Sequence, residues 1–333
     1  MKVTSYIGLA VGLIIMTGLI AWQGATEIAS LLFTSGWTLL WVPIIWIPSI
    51  LMNARCWQIL FAPGYGPTFR QAFLAQWMGR AVNTLLPVAS IGGEIVKART
   101  LILWGVNAAH ASASAIVDKT IQALTTILWG TAGTILLAHL ALDNKLAFSI
   151  LVGVSVIGMG IAGFIIIQKA GMFSLIVKSV NKFTQSEFFA NLIKPASDAD
   201  QTVKKLYKLH SRIALATIWR LVALISQTGE VWLAAYLLGH PISIIEAMLL
   251  KSLSSTLSDF AFVVPNSYGV QEGSFIILGE LIGLTPDVSL AISLTIRIRE
   301  LLIDVPGLAL WQHNEGRFFL LRRRSKKSQD ILD

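Results

Sequence analysis

The charged residues that could do chemistry lie inside apolar sequence. Two regions, 67–104 and 243–283, are hydrophobic but are interrupted by proline, glycine and charge. The helices expected after them carry the pair Asp118-Lys119 and a cluster around Arg297. A charge near the centre of a bilayer costs about 2.5–3.5 kcal/mol or more unless it is paired or hydrated. Such residues indicate either a hydrated cavity that holds a polar headgroup or ion, or a self-neutralised cluster that only locks helices together.

The first interrupted region has the features of a broken helix. Pro87 disfavours helical conformation at Leu86 and has no N–H to donate. The glycines that follow permit a turn and a new helix, whose first turn contains Glu94. Glu94 and Lys97 are three residues apart, so they can pair, whereas Arg99 points to another face. The second region, around Pro265, Asn266 and Glu272, predicts the same arrangement: a helix that breaks at proline, followed by a new helix with a glutamate in its first turn.

The two regions match at a constant offset of 178 residues, without a gap. The same offset places the apolar segment 37–60 on 215–238. We therefore predict two repeats, at about 37–141 and 215–312. The matched pairs are Pro87 with Pro265, Glu94 with Glu272, Gly105 with Gly283, Ala113 with Ala291, and Lys119 with Arg297.

These residues must be positioned by membrane helices. The chain of 333 residues is 55% hydrophobic and 13% charged, whereas a soluble domain carries about 25% charged residues. Runs of about 20 apolar residues without period-two alternation indicate helices rather than a barrel. We predict one all-α integral membrane domain over 1–333, with firm spans at 3–23, 37–60, 108–141, 146–168, 213–239 and 286–312.

The distribution of lysine and arginine predicts the orientation. The chain has a net charge of +8. Its basic residues flank apolar spans instead of forming a soluble basic face, which argues against nucleic-acid binding. The segment 169–212 and the basic tail 313–333 are placed inside, so both termini are cytoplasmic. Segment 169–212 is either an amphipathic stretch on the leaflet or a solvated loop. The two broken regions then open from opposite sides, as inverted repeats with re-entrant hairpins would; the alternative is two full spans with tight turns in each.

Familiar catalytic and cofactor motifs are missing from the sequence. Its one cysteine, Cys56, excludes an intrachain disulfide, and the five histidines match no metal-ligand spacing. Gly158–Gly163 fits GxGxxG, but it lies in an apolar span with no preceding strand, which favours helix packing through small residues. We therefore expect no enzyme activity, no cofactor and no metal.

The combination of motifs resembles the transmembrane flippase-like family of the lysylphosphatidylglycerol synthase membrane region. The likeness covers roughly 40–312, and within the family the chain looks most like the hopanoid-associated HpnL group. Two features depart from the family pattern: the usual acidic-Arg element is Asp118-Lys119, and an acidic residue is replaced near Gln122. The chain stops at Asp333, so a soluble aminoacyl-transferase domain is not expected. The motifs are the run from Asn83 to Pro87, Gly93-Glu94, Arg99, Val117-Asp118-Lys119, Pro265, Gly269-Val270-Gln271-Glu272 and Arg297.

The resemblance implies a lipid transporter or flippase of the bacterial inner membrane, moving a phospholipid or an isoprenoid- or hopanoid-type lipid. One alternative is a non-transporting scaffold or accessory protein of lipid biosynthesis, and another is a membrane enzyme acting on a headgroup. The expected partner is a membrane lipid, with a homo-oligomer or lipid-biosynthesis enzymes as further candidates. The predicted pathway residues are Arg80, Asn83, Pro87, Glu94, Lys97, Arg99, Asp118, Lys119, Pro265, Asn266, Glu272, Arg297, Arg299 and Glu300.

Overall fold

The described part of the protein is helical throughout, in a computed structural model that covers residues 25–61, 64–86, 92–140, 144–184, 187–261 and 264–329. No strand occurs in these ranges, which confirms the all-α prediction. The predicted span 3–23 lies outside them. The helices are α1 (Ala25–Ser35), α2 (Trp41–Ile59), α3 (Phe69–Leu85), α4 (Gly92–Leu103), α5 (Ala108–His139), α6 (Asn144–Thr184), α7 (Glu187–Lys208), α8 (His210–Ser226), α9 (Thr228–Leu237), α10 (Ile244–Phe260), α11 (Val270–Leu281) and α12 (Pro286–Gln329), with short 3₁₀ helices at Gly36–Leu40 and Pro265–Ser267.

Three of the described helices are long and apolar enough to cross a membrane, and a bent pair, Lys194–Lys208 with His210–Leu237, would make a fourth. The three stretches are Leu32–Ile59, Ala108–His139 and Phe148–Ser179. Large apolar side chains such as Phe148 are exposed on them, as expected where the solvent is lipid. The protein is therefore a multi-pass membrane protein.

Both interrupted regions fold into hairpins of the same design. The helices α3 and α10 have 17 residues each, and α4 and α11 have 12 each. A capping box starts α3 at Thr68 and α10 at Ser243. Leu86, before Pro87, is extended (φ −114°, ψ 146°), which confirms the predicted helix end. A 12-residue helix rises about 18 Å, which is less than the ~30 Å core of a bilayer.

The two short helices also end in the same way. Gly105 and Gly283 follow α4 and α11 with φ of 92° and 83°, a left-handed conformation that glycine adopts without strain. The amide of Val106 donates to Leu101 at 3.0 Å, and that of Leu284 donates to Gly279 at 2.9 Å. Each bond satisfies a carbonyl of the last helical turn. All these partners match at the offset of 178.

Corresponding helices of the two halves each pack against a helix of the opposite half. Helix α3 lies against α12, and its counterpart α10 lies against α5. Helix α2 packs along α8. Ser49 and Gln227, which are 178 residues apart, touch each other through a 2.7 Å hydrogen bond from the Gln227 amide.

The polar segment after the third long helix folds back on the protein. Helix α6 is broken at Gly171 (φ 108°), and Asp200 of α7 accepts hydrogen bonds from the amides of Phe173 and Ser174 at 2.9 and 2.8 Å. This carboxylate caps the second half of α6. Val203 is buried on the inner face of α7, while Lys204, Lys205 and Lys208 are exposed. The segment is thus an amphipathic helix whose inner face contacts α5 and α6.

Close helix packing occurs at other glycines than the GxGxxG run. An added Cβ at Gly160 or Gly163 would meet nothing within 4 Å among the described residues, so these two glycines make no close helix contact there. By contrast, Gly130 and Gly133 of α5 lie against Thr256 and Ser252 of α10. Small residues at this crossing let the two backbones approach.

We expect Gly133→Leu to destabilise the protein by about 1–3 kcal/mol, because the added side chain overfills the α5–α10 contact. Gly160→Leu, which points into open space, is the control. Thermal unfolding in detergent measures both. Equal midpoints for the two variants would contradict the packing at this crossing.

Candidate functional site

A polar cavity of about 550 Å³ lies between the two halves. Its walls come from α2, α3, α4 and α5 of the first half, from α8, α10, α11 and α12 of the second, and from α6 between them. Both broken regions contribute, through Asn83 and Glu94 on one side and Asn266 and Gln271 on the other. Asn83 also fixes the start of α4, because its side-chain oxygen accepts from the amide of Gly93 at 2.7 Å.

The first ion-pair network joins α4, α5 and α8. Lys97 forms an ion pair with Glu94 at 2.6 Å, as the i, i+3 spacing predicts, and also pairs with Asp118. Arg220 reaches the same Asp118 carboxylate at 2.5 Å and donates to Asn53 at 2.9 Å. Asp118 is 1% exposed, so its charge is neutralised by the two bases rather than by water.

The second network joins α9, α10 and α12 through Glu230. Lys251 contacts one oxygen of this carboxylate at 2.5 Å, and Arg299 contacts the other at 2.9 Å. Glu230 is 1% exposed and lies behind the wall, whereas both bases line the cavity.

The third network holds the turn of the second broken region. Arg297 pairs with Glu272 at 2.7 Å and with Glu300 at 3.0 Å, and donates to the backbone oxygen of Asn266 at 2.9 Å. The Asn266 side chain donates to Glu300 at 3.0 Å. Asn266 and the next residue, Ser267, have positive φ (49° and 51°), a strained conformation for non-glycine residues that these bonds stabilise.

A fourth pair connects the halves directly. Arg80 of α3 binds both carboxylate oxygens of Asp304 on α12, at 3.0 and 3.2 Å. The Arg80 guanidinium also lies 3.9 Å from the indole centre of Trp46, and that of Arg299 lies 4.4 Å from it. Trp46 therefore stabilises two cations of the cavity wall through its π-system.

Bases outnumber acids on the cavity wall by six to three within the described residues. Asp118, Glu230, Glu272 and Asp304, which balance this excess together with Arg297, are buried behind the wall. The lumen therefore has a positive potential although the site as a whole is close to neutral. The lining bases are Arg80, Lys97, Lys119, Arg220, Lys251 and Arg299, and the lining acids are Glu94, Asp259 and Glu300.

Several lining groups retain unused bonding capacity. The Nε and Nη1 atoms of Arg299 and the Nε of Arg220 are buried without a hydrogen-bond partner in the described structure. Lys119 donates to Gln122 at 3.2 Å, and no described carboxylate lies within 4 Å of it. Arginine and lysine side chains with spare donors suit an oxyanion such as a phosphate.

The structure brings most of the predicted pathway residues together. Arg80, Asn83, Glu94, Lys97, Lys119, Asn266, Arg299 and Glu300 line the cavity, and Asp118, Glu272 and Arg297 support them from behind. Arg99 lies elsewhere: it is exposed and pairs with Glu315 at 2.6 Å. Pro265 begins the 3₁₀ turn of the second region. Pro87 lies outside the described residues.

Sequence reasoning missed Arg220 and Trp46. An arginine within the apolar stretch 213–239 was the available signal for the first. Trp46 gives no signal, since tryptophans are frequent in this chain. Glu230 and Lys251, two charges within apolar sequence, pair with each other, and Asp259 accepts from Thr126 at 2.9 Å.

Replacing Asp118 with Asn should lower the free energy of unfolding by about 3–5 kcal/mol, because buried Arg220 loses the one carboxylate that lies within 4 Å of it in the described residues. Glu315→Gln, which breaks the exposed pair with Arg99, should change it by about 0–1 kcal/mol. Thermal unfolding of both variants in detergent makes the comparison. A smaller effect at Asp118 than at Glu315 would contradict the buried network.

One family model matches the chain, that of the lysylphosphatidylglycerol synthase TM region, over residues 8–306. No curated protein and no solved structure matches the chain. The family match includes both hairpins and all four ion-pair networks described above. The protein therefore belongs to the family of the lysylphosphatidylglycerol synthase transmembrane region.

Proposed function

We propose that the protein moves a lipid between the leaflets of the bacterial inner membrane, with the headgroup in the cavity and the tail in the bilayer. The observation that carries this proposal is the excess of bases over acids on the cavity wall, at the junction of two broken helices. The family links the chain to lipid biosynthesis or transport. No nucleotide motif occurs in the sequence, so movement is passive or ion-coupled.

The same cavity supports a headgroup that carries a phosphate. Arg299 and Arg220 line it, and the buried Nε atom of each has no hydrogen-bond partner in the described residues; Lys119 also lines it, and no described carboxylate lies within 4 Å of Lys119. A phosphate has enough oxygens to accept from all three. Phospholipids and phosphate-bearing isoprenoid lipids both meet this requirement, whereas an uncharged hopanoid does not use these donors.

We further propose that the halves are inverted repeats and that rocking between them alternates access to the cavity. Equal helix lengths, matched glycine caps, the packing of corresponding helices against the opposite half and the Ser49–Gln227 contact support a two-fold relation between the halves. The short α4 and α11 support re-entrant hairpins. In this arrangement the loops after α4 and α11 face opposite sides, cytoplasmic and outer respectively.

Single cysteines at Ala108 and Thr285 test the inversion in a Cys56→Ala background. A membrane-impermeant maleimide should label Thr285→Cys in intact cells, and Ala108→Cys only after permeabilisation, because the two loops lie on opposite sides. Labelling of both positions from one side would contradict the inverted arrangement.

Reconstituted protein should accelerate transbilayer movement of a fluorescent-tailed phospholipid, measured by dithionite quenching in vesicles. Lys119→Gln should slow the initial rate about tenfold or more, since it removes one charge-assisted contact to the phosphate. Lys204→Gln, an exposed lysine on α7, is the matched control and should leave the rate unchanged. Wild-type protein that moves no phospholipid would instead favour a non-transporting scaffold for lipid-synthesis enzymes.

A further inference from the structure

We propose that the headgroup is zwitterionic, with its phosphate at Lys119 and its ammonium group at Asp259. This inference rests on the proposed transport function and specifies its substrate class. It starts from the three carboxylates of the cavity wall, Glu94, Asp259 and Glu300. Two of them are neutralised by bases, whereas Asp259 has no cation within 4 Å in the described structure.

Asp259 is accessible from the cavity. It lies near the end of α10, is exposed, and accepts one hydrogen bond, from the Thr126 hydroxyl of α5. A carboxylate has capacity for about four such bonds. The nearby Ser258 hydroxyl lines the cavity and is buried without a partner in the described residues. Asp259 and Ser258 together provide acceptor positions for an ammonium group.

The spacing between the Lys119 ammonium and the Asp259 carboxylate follows from the geometry of α5, which carries Lys119 and the Asp259 partner Thr126. Lys119 and Thr126 are seven residues apart, so they share one face of the helix, with their Cα atoms about 10 Å apart. The Lys119 ammonium contacts Gln122, one turn nearer to Thr126. The two charges therefore lie beyond ion-pair distance of each other but within a few ångströms of the span of one small zwitterion.

A purely anionic headgroup fits this arrangement less well. It would satisfy Lys119 and the free arginine donors but would place negative charge beside Asp259. An ethanolamine phosphate satisfies both ends, because its ammonium group is linked to the phosphate by two carbons. The wall therefore selects for an amine next to the phosphate.

Initial rates of transbilayer movement for two tail-labelled lipids, phosphatidylethanolamine and phosphatidylglycerol, test this selection with the full chain in vesicles. Wild-type protein should move phosphatidylethanolamine faster. Asp259→Asn should reduce the ratio of the two rates about tenfold, because the charge-assisted contact to the amine is lost. Asp198→Asn, an exposed carboxylate on α7, is the matched control and should keep the wild-type ratio. Thermal unfolding confirms that each variant is folded.

The outcomes separate this inference from the transport proposal. If neither lipid moves with wild-type protein, the transport proposal itself fails. If both lipids move and Asp259→Asn leaves their ratio unchanged, or slows both equally, transport stands and the ammonium site is overturned. Mass spectrometry of co-purified lipid gives a second readout: loss of phosphatidylethanolamine relative to phosphatidylglycerol in Asp259→Asn supports the site.

Discussion

Neutralisation of charge in a medium of low dielectric governs this structure. Between membrane helices the hydrophobic effect offers little drive for association, so packing and polar contacts must provide it. Asp118, Glu230 and Glu272 are each at most 1% exposed, and each is neutralised by a base from another helix. Because an unpaired charge there is costly, these pairs fix which helices lie together.

The same requirement for neutralisation is compatible with a cavity whose wall carries an excess of positive charge. Neutrality applies to the whole cluster, not to its surface, so acids can lie behind the wall while bases face the lumen. Arg299 illustrates this, since it lines the cavity while Glu230 holds it from behind at 2.9 Å. A membrane protein can thus present positive charge at depth without a net charge in its interior.

Features that depend on neighbours in sequence were predictable, and features that depend on distant ones were not. The Glu94–Lys97 pair and the extended Leu86 follow from local spacing and from Pro87. By contrast, Asp304 lies on the same helix as Arg297 but pairs with Arg80 of α3, 224 residues away in the chain.

Local patterns also carry no information about which way a helix faces. Arg99 has the residue type and the sequence position expected of a site residue. It lies on the face of α4 that contacts Glu315, not on the face that lines the cavity. Likewise, an added Cβ at Gly160 or Gly163 of the GxGxxG run would meet no atom of the described residues within 4 Å, whereas the close crossing is made by Gly130 and Gly133 with α10. Such assignments require the tertiary arrangement of helices, which no periodicity in a single helix specifies.

The Asp200 cap at the Gly171 break has a consequence for the order of assembly during synthesis. The acceptor of the Phe173 and Ser174 amides, Asp200, lies 27 and 26 residues later in the chain, respectively. Until Asp200 has been synthesised, these two amides have to hydrogen-bond to water instead. The N-terminal end of the second half of α6 therefore remains hydrated. When α7 packs against α6, the Asp200 carboxylate replaces this water. The capping group of α6 thus comes from a helix that is synthesised after it.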